Sequence, residues 1–194
     1  MFDDNAPRII KETSDGIYTV AIQDEMLLDR QITLIGEIEA SSASSAIKQL
    51  LHLESEDPMA PITMLVSGPG GSVDSGMAIY DVMQGVSCPV NTVCMGTAAS
   101  MSAVIFAAGA KRSILPHGRV MIHDPLMTSI GGSATSVKET AENLMKTRQT
   151  MAEILAANTG RTVDEVLEKT SSDTWFDARE AVEFGLADEI TKSI

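Results

Sequence analysis

The chain has 194 residues, 44% of them hydrophobic and 21% charged, which suits a single domain with its own buried core. Its formal net charge of −13 argues against a nucleic-acid or anionic-membrane surface, because both need clustered cations. Aromatic residues make up only 4% of the chain, whereas there are 12 methionines, so we expect a core of small and adaptable side chains.

The N-terminus and the cysteines bear on the cellular compartment. The first ten residues, MFDDNAPRII, lack the basic segment and apolar stretch of a secretory signal. The longest apolar stretch, over about residues 98–110, is too short and too rich in small residues to span a bilayer. Cys88 and Cys94 are interpreted as small buried side chains in a reducing environment. We therefore expect a cytoplasmic protein.

Strands and helices are predicted to alternate along the first two thirds of the chain. Residues 1–15 are polar and are expected to be irregular, with the first strand at 17–22. Hydrophobic patterning then predicts strands at 31–38, 61–66, 90–95 and 120–122, and helices at 41–54, 73–83 and 100–108. This alternation indicates right-handed βαβ crossovers around a largely parallel sheet.

The last third of the chain is predicted to be helical. A long helix over 136–158 is expected to end at Gly160, a residue suited to a left-handed cap. A shorter helix follows. Asp177 and Glu180 then have the spacing of a capping box, and Gly185 is expected to close the helix that they open. Together these patterns predict an α/β core with a projecting helical element.

Ser100 lies where a predicted strand turns into an alanine-rich helix. The residues two positions before and after it, Ala98 and Ser102, are small, as a tight strand–turn–helix around a nucleophile requires. The N-terminus of a helix also favours negative charge developing nearby. The alternative is that Ser100 is only the N-cap of this helix.

A glycine-rich segment, SGPGGS at residues 67–72, lies between another predicted strand and helix. Glycines permit positive φ and close approach of a ligand, and the exposed N–H groups suit an oxyanion or a phosphate. A P-loop is excluded because no G-K-[ST] follows. A dinucleotide loop is disfavoured because Val73 stands where its third glycine would be. A simple turn remains the alternative.

Among the three histidines, His123 is the best placed for chemistry. It ends an apolar strand just before a turn at Pro125, where a side chain can reach into a cleft. His52 is interpreted as a structural residue of a helix, and His117 as an exposed residue of a turn. No spacing of histidine, cysteine and aspartate matches a metal site, so neither a metal nor another cofactor is expected.

A histidine that acts as a base on a serine needs an acid to hold its tautomer. Three aspartates are candidates. Asp124 is expected to point away from His123 if the strand continues, and Asp177 is assigned to a helix cap. Asp173 lies in a loop beside two aromatic residues that are expected to shield it from water, although an ordinary capping role is its alternative. Spacing alone does not choose among the three.

Three motifs together carry a resemblance to a known family. In this order and spacing, GPGG at 68–71, CMGTAASM at 94–101 and RVMIH at 119–123 resemble the ClpP family of serine peptidases, and the similarity runs along nearly the whole chain. Several separate motifs in register make the resemblance specific.

The resemblance implies a catalytic triad of Ser100 as nucleophile, His123 as general base and Asp173 as orienting acid. It also implies an oxyanion hole made by the backbone N–H groups of Gly71 and Met101. A Cβ at Gly71 is then expected to crowd the substrate backbone. The expected activity is that of a serine endopeptidase.

The same resemblance implies a crotonase-like (ClpP) fold with repeated ββα units and a projecting handle helix, the handle spanning about residues 124–158. Residues 1–22 are expected to form an N-terminal axial loop segment and residues 23–194 a single peptidase domain. Seven subunits would form a ring, and two rings a tetradecamer that encloses the active sites. A hexameric AAA+ ATPase would deliver unfolded polypeptide to this chamber.

The sequence departs from the family pattern at positions that bear on partners. Ser172 stands where an arginine usually forms an ion pair between rings. Thr63, Leu65 and Gly85 stand where the ATPase-docking surface is usually aromatic, and residues 127–132 lack the usual glutamine. One alternative is therefore a weakly active or regulatory ring subunit that partners a second ClpP-type subunit. A crotonase-type acyl-CoA enzyme is a less favoured one.

Overall fold

The structure, a computed structural model, describes residues 7–14, 16–127 and 129–193. In these ranges the strands are β1 (Arg8–Thr13), β2 (Gly16–Ala21), β3 (Gln31–Ile38), β4 (Ile62–Gly71), β5 (Val90–Ala99), β6 (Arg112–Ile114), β7 (Arg119–Ile122), β8 (Thr174–Asp177) and β9 (Glu189–Ile190). The helices are α1 (Ile22–Leu28), α2 (Ala40–Glu56), α3 (Val73–Gly85), α4 (Met101–Ala107), α5 (Ala134–Thr159), α6 (Val163–Thr170) and α7 (Ala178–Phe184). The predicted alternation of strands and helices is confirmed.

The main sheet runs in the order β3-β4-β5-β6-β9, and its pairs are parallel. Strand β5 changes partner along its length. It pairs with β6 up to Cys94 and then with β7 from Thr97 to Ala99, in parallel register with Arg119 to Met121. Strand β8 adds to β7 as an antiparallel edge. The carboxyl ends of β5 and β7 therefore lie side by side, which is the edge where parallel sheets place functional groups.

Helix α4 forms the centre of the core. All of its residues from Met101 to Ala107 are buried. Phe106 and Phe176 are the aromatic side chains that the described ranges bury, whereas methionine contributes several buried side chains: Met64, Met83, Met101, Met121 and Met151. The packing around Met101 is tight, since a Cβ added at Gly76 would lie 2.1 Å from Met101 Cγ. The expected core of small and flexible side chains is confirmed.

Helix α5 is the handle, and only its C-terminal part is packed into the core. The helix has 26 residues, and those it buries are Met151, Ala152, Leu155 and Ala156. The side chains of its first half are mostly exposed. The helix ends at Gly160 in the left-handed conformation, as predicted. Among the helices in the described ranges, none combines the length and apolar character needed to cross a membrane.

The N-terminal segment differs from its predicted form. Residues 1–15 were expected to be irregular, yet Arg8 to Thr13 form β1, which pairs antiparallel with β2 in a separate two-stranded sheet. Residues 1–6 and Asp15 of that expectation, and Thr128 of the predicted handle region, lie outside the described residues. The strand was missed because its order comes from cross-strand pairing with β2, which the polar pattern of one segment does not reveal.

Arg112 connects the C-terminal helices to the sheet. Its guanidinium Nη1 donates to the carbonyls of Asn158 at 2.6 Å and Gly185 at 2.7 Å, close to the C-terminal ends of α5 and α7. Its Nε donates to Asp188 Oδ2 at 3.1 Å, and a second guanidinium contact reaches Asp188 Oδ1. One side chain thus binds the ends of two helices and the segment that leads into β9.

The ion pair between Arg112 and Asp188 predicts how stability depends on pH. Partial burial alone would raise the pKa of Asp188, but hydrogen bonds from Arg112 and its charge outweigh burial and hold the pKa below its usual value. A lowered folded-state pKa stabilises the fold above about pH 4, and that contribution is lost as the pH falls further. We expect Asp188→Asn to lower the free energy of unfolding in urea near neutral pH, and the difference from the native chain to shrink as the pH falls below about 4. A difference that stays constant over this range would contradict the assignment.

Candidate active site

Ser100 lies at the turn between β5 and α4 in a strained backbone conformation. Its φ is +54° and its ψ −124°, and Arg30 is the other non-glycine residue of the described ranges with positive φ. Ser100 occupies the N-cap position of α4, but its side chain makes no capping hydrogen bond. Its Oγ instead lies 2.8 Å from His123 Nε2. Ser100 therefore does not cap the helix with its side chain, and its half-buried hydroxyl lies on a sharp strand–turn–helix bend beside an imidazole.

His123 and Asp173 come together at the end of the β7–β8 pair. The last residues paired in this ladder are Ile122 and Thr174, so the next residue on one strand lies beside the preceding residue on the other. His123 Nδ1 lies 3.0 Å from Asp173 Oδ1. A hydrogen-bonded line therefore runs from Asp173 through His123 to Ser100.

The expected shielding of Asp173 by its aromatic neighbours is wrong. Its side chain is 67% exposed, whereas that of His123 is only 13% exposed. Trp175 lies under the guanidinium of Arg119, whose Cζ is 4.4 Å from the ring centroid. Phe176 is buried and packs on Phe184, with ring centroids 4.9 Å apart. Because these two residues belong to strand β8 rather than to a loop, their side chains alternate between its faces.

The other two aspartates are engaged elsewhere. The Asp124 carboxylate accepts hydrogen bonds from Arg148 Nε at 2.6 Å and Thr170 Oγ1 at 2.7 Å. The Asp177 carboxylate caps α7, as predicted, and accepts from the backbone N–H groups of its first turn. Of the three candidate acids, Asp173 is the one that contacts the imidazole.

The glycine-rich segment reaches Ser100 through Gly70. A Cβ added there would lie 2.6 Å from Ser100 Cβ and 2.9 Å from the backbone nitrogen of Met101. The peptide that carries the Gly71 N–H thus begins beside both. At Gly71 itself an added Cβ would meet Ile38 O at 2.2 Å. The reason expected for Gly71, crowding of the substrate, is therefore replaced by another: the backbone of β3 leaves no room for a side chain.

The remaining histidines lie away from this site. His52, which was interpreted as a structural residue, has an exposed side chain on α2 with its Nε2 3.6 Å from Glu56. His117 lies exposed in the turn before β7, as predicted. Within the described ranges, no cluster of three or more histidine, cysteine or acidic side chains is placed to hold a metal ion.

The sequence did not point to Arg148 and Thr170, which hydrogen-bond to Asp124, the residue after His123. They are 24 and 46 residues from Asp124 in the chain, on α5 and at the end of α6. The alternating charges of α5 give no sign that one arginine turns inward. Only the packing of α5 and α6 against the end of β7 brings these residues together.

Cys94 lies buried on β5, and its burial makes it a poor nucleophile. Removal from water raises the pKa of its thiol to about 12, although hydrogen bonds with backbone groups oppose the shift. A raised pKa leaves almost no thiolate at physiological pH. We therefore expect iodoacetamide at about pH 8 to leave Cys94 unmodified in the native protein and to alkylate it in urea, as measured by peptide mass spectrometry. Rapid alkylation of Cys94 in the native protein would show that its thiol is accessible to solvent and would contradict this prediction.

Comparison with known families agrees with the geometry. The family model described as Clp protease matches residues 14–193, which is nearly the whole chain. The resemblance stated from the three sequence motifs is thereby confirmed, together with the ClpP fold that the mixed sheet and helices display. The chain therefore belongs to the Clp protease family, the family of ClpP-type serine peptidases.

Proposed function

We propose that this chain is a serine endopeptidase whose triad is Ser100, His123 and Asp173. The observation that carries the proposal is the pair of hydrogen-bond distances through one imidazole, 2.8 Å to Ser100 Oγ and 3.0 Å to Asp173 Oδ1. Each ring nitrogen has one partner, as a base that must hold a single tautomer requires. The strained turn at Ser100 supports the same role, because strain of this kind concentrates at functional sites.

The proposed reaction follows from these contacts. With Nδ1–H donating to Asp173, His123 Nε2 is free to accept the Ser100 proton as Oγ bonds to the peptide carbonyl carbon. The imidazolium then gives that proton to the leaving amine, and an acyl-enzyme remains. Water, deprotonated by the same nitrogen, then attacks the ester carbonyl. The imidazolium returns that proton to Ser100 Oγ as the ester bond breaks and the acid is released. The carboxylate of Asp173 stabilises the transient imidazolium without being protonated.

The oxyanion hole is proposed to consist of the N–H groups of Gly71 and Met101. Two observations support this assignment. The Met101 nitrogen directly follows Ser100, and the Gly70 position lies against both residues. Donors of this kind typically stabilise the transition state by about 3–4 kcal/mol each.

The assembly proposed for the chain is a seven-membered ring stacked in pairs, fed by a hexameric AAA+ ATPase. The first half of α5 and the segment before it support it, since they present exposed apolar side chains: Leu126, Met127, Ile130, Val137 and Met145. Residues 1–22 are proposed to form the axial loop segment, and the cytoplasm to be the compartment. The departures at Ser172 and Gly85 favour a second ClpP-type subunit as an additional partner.

Covalent labelling tests the proposed nucleophile. We expect a fluorophosphonate probe to form one adduct, mapped to Ser100 by peptide mass spectrometry, and no adduct in Ser100→Ala. Ser102→Ala is the matched control, because Ser102 lies two residues away and its buried Oγ makes no hydrogen bond within the described ranges. Labelling of the control should equal that of the native chain. An unlabelled native protein, or an adduct at another residue, would overturn the assignment.

Native mass spectrometry tests the proposed assembly. A homo-tetradecamer that binds its ATPase unaided would exclude the requirement for a second type of subunit. Assembly only after addition of a second ClpP-type chain would support it.

A further inference from the structure

The carboxylate of Asp173 has little of its own to hold it in place. Its side chain is 67% exposed, and the one hydrogen bond that it makes within the described part of the chain is to His123. Both residues also lie just beyond the last pair of the β7–β8 ladder, Ile122 and Thr174. The distance between carboxylate and imidazole therefore depends on how the two backbones are held beyond the ladder.

A second cross-link joins the same two backbones on the far side of the pair. The Asp124 N–H donates to the carbonyl of Thr170 at 2.7 Å, and Thr170 Oγ1 donates to Asp124 Oδ1 at 2.7 Å. Thr170 is only 5% exposed. His123 and Asp173 thus lie between two anchors, the end of the ladder and the Asp124–Thr170 pair.

Arg148 of α5 fixes the orientation of the Asp124 carboxylate. Its Nε donates to Asp124 Oδ2 at 2.6 Å, and its Nη2 donates to the carbonyl of Leu167 at 3.4 Å. Both charged side chains are largely shielded, with 25% of Arg148 and 30% of Asp124 exposed. Since the other carboxylate oxygen receives Thr170, the acid is held from two sides.

We propose that Asp124 is a positioning residue for the catalytic pair, and that it acts by fixing the segment that carries Asp173. The inference rests on the proposed triad. Asp124 touches neither the imidazole nor the nucleophile through its carboxylate. Its effect passes through Thr170 along the short chain segment to Asp173, and Arg148 makes the packed base of α5 part of the same support.

Turnover of a short fluorogenic peptide tests the proposal. We expect Asp124→Ala to lower kcat by about 10- to 100-fold with little change in KM, because displacing a catalytic group by about 1 Å has effects of that size. Asp124→Asn keeps an oxygen for Thr170 and should retain more activity than the alanine variant. Glu56→Gln removes a charge from an exposed contact with His52 on α2, where the atoms are 3.6 Å apart, and should leave kcat unchanged.

A double-mutant cycle separates positioning from a general loss of structure. If Asp124 acts through Asp173, Asp124→Ala should change kcat less than about twofold once Asp173 is asparagine, whereas independent effects multiply. Full multiplication of the two losses would overturn the proposal. Circular dichroism and native mass spectrometry of each variant establish that fold and assembly are retained.

Crystal structures of Asp124→Asn and Asp124→Ala test the positioning role of Asp124 independently of activity. The proposal predicts that Nδ1 of His123 and the Asp173 carboxylate move beyond hydrogen-bond distance in the alanine variant. An unchanged contact would overturn the positioning role even if the triad is correct. Conversely, a native chain without Ser100-dependent hydrolysis would contradict the proposed function while the crystallographic comparison still tests the role of Asp124.

Discussion

Replacing Ser100 with alanine is expected to lower kcat for peptide hydrolysis by at least about four orders of magnitude, the scale on which triad nucleophiles act. The change removes one oxygen, the atom that lies 2.8 Å from His123 Nε2. It leaves Cβ and the strained turn in place, so the fold and the assembly should be unaffected. Hydrolysis of a fluorogenic peptide measures the loss, and native mass spectrometry checks the assembly.

The control for this variant is Ser102→Ala, which deletes a buried hydroxyl in the first turn of α4, two residues after Ser100. Its kcat should stay within about twofold of the native value, since Ser102 Oγ makes no hydrogen bond within the described ranges. Residual hydrolysis by Ser100→Ala at a tenth of the native rate or more would mean that another group attacks the peptide. In that case the assignment of Ser100 as the nucleophile would be wrong.

Gly71→Ala is expected to have the largest effect on stability. The φ of Gly71 is +144°, and an added Cβ would lie 2.2 Å from the carbonyl oxygen and 2.8 Å from the nitrogen of Ile38. Both atoms belong to the backbone of β3, which cannot rotate out of the way as a side chain does. Overpacking and backbone strain together should lower the free energy of unfolding by about 2–4 kcal/mol. Urea denaturation followed by circular dichroism measures the loss.

Gly85→Ala is the matched control for this substitution. Gly85 is the last residue of α3, and a Cβ added there would have no atom within 4 Å. Alanine at such a position should leave stability unchanged or raise it by up to about 1 kcal/mol. A Gly71→Ala variant as stable as this control would contradict the prediction. It would mean that β3 and β4 can move apart enough to make room for the added Cβ.

The parts of the fold that the sequence predicted are those with a strong local signal. The parallel strands at the centre are runs of apolar residues between glycine turns, and the helix caps at Asp177 and Gly160 follow from residue type. Ser100 and His123 were identifiable for the same reason, because each directly follows an apolar strand. Their meeting depends on β5 exchanging β6 for β7 as its partner, a feature of pairing that no single segment encodes.

The features that could not be predicted depend on distant pairing. Strand β1 is polar and is defined by its partner β2. The sequence also could not show that the Asp124 carboxylate is already hydrogen-bonded. Its partners, Arg148 and Thr170, are distant from it in the chain. Spacing alone did not choose among the three acids. The resemblance to ClpP peptidases implies Asp173, which is the acid that lies 3.0 Å from His123 Nδ1.

The positive φ of Ser100 lowers the stability of the fold at the same residue that is proposed to carry the activity. A side chain held at +54° costs about 1–3 kcal/mol, which glycine would not incur. Laboratory evolution that selects survivors of heating would therefore enrich glycine at residue 100 and discard the proposed nucleophile. Any selection for heat resistance in this chain has to screen for hydrolysis as well, because glycine at residue 100 would stabilise the fold and remove the proposed activity together.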